Sequence, residues 1–285
     1  MQVLSPKVKF SFLAACAILS SFAATRLAAQ DPPATGNAES LAAAEIAFAR
    51  ESVEKGMRSA FLNALSDDSI VFAPGPQNGK KVWQAKPDSE SVLQWQPILA
   101  FAATGGDLGY TTGPWTFKKK ATDEKPTAFG QFVSVWRWEA GKWKVLFDLG
   151  SDNPPPTEPA QELQLIDNHA PNDLAAPAQL VLLARDRTYA ADRARDFAAA
   201  ASDHIRLYLP GQAPAVGKEA AGEALHRAPK TIRFREAKGS VSRGGDLGFA
   251  WGECTEGEAT GDYLRIWRKD RAGNWELALD LVHPR

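Results

Sequence analysis

One short stretch of this chain occurs twice, nearly unchanged: Gly105-Gly106-Asp107-Leu108-Gly109-Tyr110-Thr111-Thr112-Gly113 returns as Gly244-Gly245-Asp246-Leu247-Gly248-Phe249-Ala250-Trp251-Gly252. Such long-range self-similarity means that one folding unit has been copied, so the chain is limited to architectures that can be built twice. The flanking landmarks keep the same order in both halves. Ser66-Asp67 and Ser202-Asp203 precede Phe72-Ala73-Pro74-Gly75 and Tyr208-Leu209-Pro210-Gly211, and then come Gly79-Lys80 and Gly217-Lys218. After the shared stretch, Gly130 to Arg137 and Gly261 to Arg268 are tryptophan-bearing strands. Each half closes with Gly-x-Trp and a last strand that carries Asp148 or Asp280.

Residues 1–30 read as a secretory signal: Lys7 and Lys9, an apolar run too short to span a bilayer, and the small-residue site Leu27-Ala28-Ala29. Leu13-Ala14-Ala15-Cys16 resembles a lipobox and leaves open a lipoprotein anchored through Cys16. Either route exports the protein, to the periplasm or beyond. The whole chain has 33 basic and 34 acidic residues. Lys7, Lys9 and Arg26 leave with the leader and no acid does, so the mature surface is mildly acidic and gives nucleic acid no reason to bind. No membrane span is expected. Cys254 is then alone, and ordinary cores rather than disulfides must hold the domains together.

Proline punctuation sets the boundaries: a first domain over 38–153, a Pro-rich linker over 154–177 and a second domain over 178–285. In the first, 41–65 carries Leu41, Ile46, Phe48, Val53, Met57, Phe61 and Leu65 near helical period, with a break expected at Gly56. Its counterpart is 178–201, with Leu180, Leu183, Tyr189 and Phe197. Short strands, a second helical piece after Gly79 or Gly217, and three or four antiparallel strands complete each unit. The fold class is therefore α+β.

The acid-x-x-aromatic of the first helix (Glu45 to Phe48, Asp186 to Tyr189), the Ser-Asp exit ending in Pro-Gly, the Gly-Asp-Leu-Gly hairpin and the closing Gly-x-Trp strand together resemble the nuclear transport factor 2-like superfamily, in its SnoaL-like and ketosteroid isomerase-like branch. The resemblance covers most of both repeats. It implies two cone-shaped α+β barrels, each a long helix wrapped by a curved antiparallel sheet with a pocket at one end. It also implies an internal pseudo-dimer of the two repeats, since such sheets pair face to face. The superfamily contains isomerases, cyclases, dehydratases and plain binding domains, so the fold leaves the activity open.

Familiar catalytic motifs are absent: there is no Gly-x-Ser-x-Gly elbow, phosphate loop or Cys-x-x-Cys, and His169, His204, His226 and His283 are scattered. No metal and no cofactor is expected. Asp107 and Asp246 read as turn residues. Strict alternation along the last strand puts Trp143, Val145, Phe147 and Leu149 on one face and Leu146 and Asp148 on the other, with Asp280 matching Asp148. If that second face is concave, each aspartate is a candidate general base, as in ketosteroid isomerase. If it is not, the aspartate pairs with Arg137 or Arg268 near solvent. Tyr189 could assist Asp280, whereas its counterpart Phe48 cannot, which points to the second repeat for any active site. Trp115, Trp136, Trp251, Trp267 and Phe48 are candidate ligand-stacking residues. Two functions follow: binding of a small apolar or aromatic molecule without catalysis, or a cofactor-independent isomerase, cyclase or dehydratase.

Overall fold

Asn37 starts α1 (Ala38–Lys55) with a capping box: its side chain accepts the Ser40 N–H, and its own N–H donates to Ser40 Oγ. At the far end Gly56 takes φ 86°, and the chain re-enters a helix as α2 (Met57–Ala64). The buried stripe of α1 runs through Leu41, Glu45, Phe48, Ala49 and Ser52. Ile46 and Val53, expected in that stripe, are 47% and 48% exposed. The inward face is centred on an acid, which a search for apolar periodicity passes over. The computed structural model describes residues 35–157, 159, 161–228 and 231–285. The leader 1–30 and Cys16 lie outside the described residues.

From α2 the first repeat continues through β1 (Leu65–Phe72), β2 (Pro76–Asn78), α3 (Gly79–Ala85), β3 (Val92–Trp95), β4 (Leu99–Ala102), β5 (Leu108–Lys118), β6 (Ala128–Glu139) and β7 (Lys142–Asp152). The segment read as linker supplies a further strand, β8 (Gln164–Asp167), which runs parallel to β4 at the edge of the same sheet. Asp167 also accepts the Ala38 N–H at 2.7 Å, placing an acid at the start of α1. The sheet order is β2-β1-β7-β6-β5-β4-β8, with β3 also on β5.

The second repeat rebuilds this pattern with α4 (Ala175–Ala191), α5 (Arg193–Ala200), β9 (Ala201–Tyr208), β10 (Ala215–Val216), α6 (Lys218–Arg227), β11 (Arg233–Phe234), β12 (Lys238–Val241), β13 (Leu247–Glu256), β14 (Ala259–Lys269) and β15 (Trp275–Pro284). Its sheet runs β10-β9-β15-β14-β13-β11, with β12 on β13. Both sheets are mixed rather than purely antiparallel. The first strand of each repeat lies parallel to its last, β1 on β7 and β9 on β15.

A bulge bends the last strand pair of each repeat at the same place. Val135 pairs with Phe147 but Trp136 with Val145, and Ile266 pairs with Leu279 but Trp267 with Leu277, leaving Leu146 and Ala278 as the extra residues. Strict alternation, which would put Val145 and Phe147 on one face, is thereby broken. Trp143 and Val145 pack on the helix side, whereas Phe147 and Leu149 face the other repeat. Asp148 and Asp280 consequently turn inward, onto the helix side.

The faces away from the helices share one hydrophobic cluster, to which aligned residues of both repeats contribute: Leu108 and Leu247, Tyr110 and Phe249, Val135 and Ile266, Phe147 and Leu279. Two hydrogen bonds cross it reciprocally: Thr104 N–H donates to Asp246 at 2.8 Å and Arg243 N–H to Asp107 at 2.9 Å. Asp246 is fully buried and also accepts from Thr104 Oγ1, Asn168 and Ser242, so it joins the repeats as well as shaping a turn. Asp246→Ala orphans several buried donors and is expected to lower the unfolding free energy by about 2–3 kcal/mol in urea denaturation. Asp107→Ala, whose partner Arg243 is exposed, is expected to cost about 1 kcal/mol or less.

Candidate functional site

The acid-x-x-aromatic of each first helix puts an acid one helical turn from an aromatic ring, both facing the sheet. Glu45 is fully buried. It accepts Trp95 Nε1–H at 2.5 Å, Thr111 Oγ1–H at 2.5 Å and Trp136 Nε1–H at 3.1 Å. Burial pushes its carboxyl from 4.5 to about 7, although Thr111, Trp95 and Trp136 all donate to it. Trp136, a candidate for ligand stacking, is wholly buried and bound to Glu45, so it belongs to the core.

Beyond Glu45 the first cone opens into a cavity of ≈ 240 Å³ walled by Phe48, Phe61, Trp83, Trp95, Trp115 and Phe132, with Asp148 and Ser134 among its few polar residues. Phe48 sits in the aromatic wall, its ring 4.8 Å from both Phe61 and Trp95. Trp115 lies flat against Gly130, where an added Cβ would come within 2.3 Å of the indole and 2.0 Å of the Ser151 carbonyl. Asp148 is half-buried and accepts Ser134 Oγ–H at 2.9 Å. Burial pushes it from 3.8 to about 6, and the Ser134 hydrogen bond holds it back. Arg137 does not pair with it; that guanidinium binds Asp68 and Glu139 near the surface. At the mouth are Lys86, whose Nζ lies 4.0 Å over the Trp83 ring, Asp152, and His283 from β15 of the second repeat.

Around its inward aspartate the second cone holds ion pairs where the first has space; its own cavity, of ≈ 160 Å³, lies apart from them and is walled by Leu209, Ala228, Ile232, Cys254 and Val282. Arg265, aligned with Ser134, is wholly buried; its Nε donates to Asp280 at 3.2 Å and its Nη1 to Asp186 at 3.1 Å. Arg193, aligned with Met57, donates to Asp280 at 3.1 Å, and Tyr189 Oη–H does so at 3.0 Å. Trp267 Nε1–H donates to Asp186 at 3.0 Å, as Trp136 does to Glu45. Burial works against the charge on Arg265, but Asp186 and Asp280 outweigh it and hold its pKa above the ordinary value. Burial, with Asp280 beside it, pushes the Tyr189 hydroxyl well above its usual range.

The expected meeting of Asp280 with Tyr189 therefore occurs, but in an ionic core. Two arginines and a tyrosine donate to Asp280, and neither it nor Tyr189 lines the first repeat's aromatic cavity or the second repeat's smaller one. Arg268 pairs with Glu276 instead of Asp280. Trp267 is core. Trp251 lies between the sheets, its ring 5.4 Å from Phe147, because odd positions of β13 face the first repeat. Of the candidates, the structure brings Phe48, Trp115 and Asp148 together. Glu45, Asp186, Ser134 and Arg265 were not singled out; the helix motif quoted above was the signal for the first two. No group of residues suited to a metal ion occurs among the described residues, and no described helix is long and apolar enough to cross a membrane.

Two outcomes are expected. The folded protein keeps a proton on Glu45 that the unfolded chain loses above pH 4.5. The stability from this group is complete below that pH and is lost as pH rises through about 7, a change of about 3 kcal/mol in unfolding free energy that Glu45→Gln should flatten in urea titrations at several pH values. Arg265→Ala leaves Asp186 without a cation and Asp280 with Arg193 alone, and should cost about 3–5 kcal/mol in the same assay.

No protein-family model and no curated protein matches the chain. Among solved structures, similarity is found to a DUF3225-family protein of unknown function from Pectobacterium atrosepticum (19% identity, 39% of this chain, 92% of that chain, TM-score 0.34). A ketosteroid isomerase-like protein from Erwinia carotovora atroseptica (24% identity, 38% and 94% coverage, TM-score 0.29) and an NTF-2 like protein of unknown function from Shewanella oneidensis (15% identity, 39% and 98% coverage, TM-score 0.32) are also similar. Each repeat of this chain is a long helix cradled by a curved mixed sheet, with an aromatic cavity at the open end of the first copy.

Proposed function

We propose that the chain is an exported protein that binds one small apolar or aromatic molecule in the cavity of its first repeat without transforming it. The observation that carries this reading is the aromatic cavity of ≈ 240 Å³. It exceeds the roughly 150 Å³ that accommodates a benzene ring and suits a one- or two-ring molecule. The second repeat is the structural partner in this reading. Together the repeats act as an internal pseudo-dimer, supported by the aligned residues of the shared cluster and the reciprocal Asp107 and Asp246 contacts.

A catalytic alternative has one observation in its favour. Asp148 borders the cavity and its carboxyl is pushed up to about 6, the range of a general base. Against it, Phe48 stands where Tyr189 donates a hydrogen bond in the second repeat, and a developing oxyanion would find no matched donor there.

Native mass spectrometry of the protein from its exported fraction is expected to show one small-molecule adduct per chain. Indole, titrated calorimetrically into the emptied protein, should bind with one site, and Trp115→Ala should weaken it by about tenfold. A clean apo mass together with no indole binding would overturn the reading. Turnover of the co-purified molecule that Asp148→Asn abolishes while binding persists would favour the enzyme.

A further inference from the structure

The two cones are one design at two stages of filling. In each, the first helix offers a buried acid to a tryptophan of the sheet, and the last strand turns a second acid inward at the bulge. Asp148 and Asp280 occupy matching register, opposite Val71 and Leu207 on the parallel neighbour and opposite Ser134 and Arg265 on the antiparallel one. In the second cone the Arg265 guanidinium lies between both acids. It is also caged by rings, 4.3 Å from the Phe234 centroid and 4.4 Å from that of Tyr263. In the first cone the same cage is present as Trp95 and Phe132, which align with Phe234 and Tyr263, but its centre is cavity. Ser134 is too short to enter that space.

We propose that the molecule held by the first repeat carries a protonated nitrogen, an amine or a guanidinium, seated against Asp148 within the aromatic cage, where the second repeat places its own Arg265. This rests on the reading that the cavity binds a small aromatic molecule. A carboxylate surrounded by rings is poorly solvated, and a cation meets both the charge and the negative faces of the rings. No salt bridge to Asp148 forms among the described residues: Lys86 lies over Trp83, and its ammonium is disfavoured by burial. The other titratable groups around the site are Asp152 and His283 at the mouth and Glu45 on α1, whose carboxyl is held by three donors.

Calorimetric titration of the mature full chain with benzamidine and with its neutral isostere benzamide at pH 7.5 tests this. Benzamidine is expected to bind at least about tenfold more tightly, and Asp148→Asn should shrink the preference to about threefold or less. Acidification through about 6 should shrink it as well, as Asp148 takes up a proton. Ser134→Arg, which copies the second repeat, should abolish binding of both probes while leaving the circular dichroism spectrum unchanged. Equal affinity for the two probes would overturn the cationic ligand and leave the binding cavity standing. Binding of neither, by a folded protein, would overturn both. A benzamidine preference that survives Asp148→Asn would overturn the seat assigned to Asp148.

Discussion

In each repeat a carboxylate on the long helix accepts the indole N–H of a tryptophan in the middle of the sheet, Glu45 from Trp136 and Asp186 from Trp267. That bond fixes the rotation of the helix against the strands. It buries an acid, and a buried acid must find partners or take up a proton. Much of the difference between the two cones follows from how each meets that demand. The first uses neutral donors and lets the pKa of Glu45 rise. The second brings in Arg265 and pairs the charge.

That choice sets how much room is left around the inward aspartate of each repeat. A guanidinium with its stem fills much of the room inside a small cone, and once there it draws Asp280, Tyr189 and Arg193 into one network. Such a network is poor evidence for stability, and it leaves Arg265 Nη2 buried without a partner. At Ser134 the first repeat kept a short side chain, and with it a hollow interior. Its mouth includes His283 from the other repeat, so the hollow belongs to the chain as a whole.

Much of this architecture was legible in the residues. The duplicated Gly-Asp-Leu-Gly hairpin, the break at Gly56 and the closing strands mark both copies, because turns and helix ends depend on local chemistry. The inward direction of Asp148 and Asp280 is not legible in the residues, since a bulge that reverses a strand's faces leaves no mark in a period-two pattern; Leu146 and Ala278 look like ordinary strand residues. Tyr189 beside Asp280 points to the second repeat only while Arg265 and Arg193 are out of view. A hydrogen-bonding tyrosine looks like an active-site group until two cations are found to share its partner. Arg265 was readable only by comparing it with Ser134, position against position.

The copies are also unequal at their edges. In the first sheet the connecting chain returns as β8 and seals the outer side of β4. In the second sheet β12, the counterpart of β4, pairs with β13 alone among the described residues. An unsealed strand offers its backbone to any passing chain, and proteins usually guard such strands by keeping them short and charged. β12 spans only Lys238–Val241 and opens with a lysine whose ammonium lies 5.2 Å over the Trp251 ring. Duplication thus left a tail to protect one copy, while the other depends on brevity and a single charge to keep from adding strands without end.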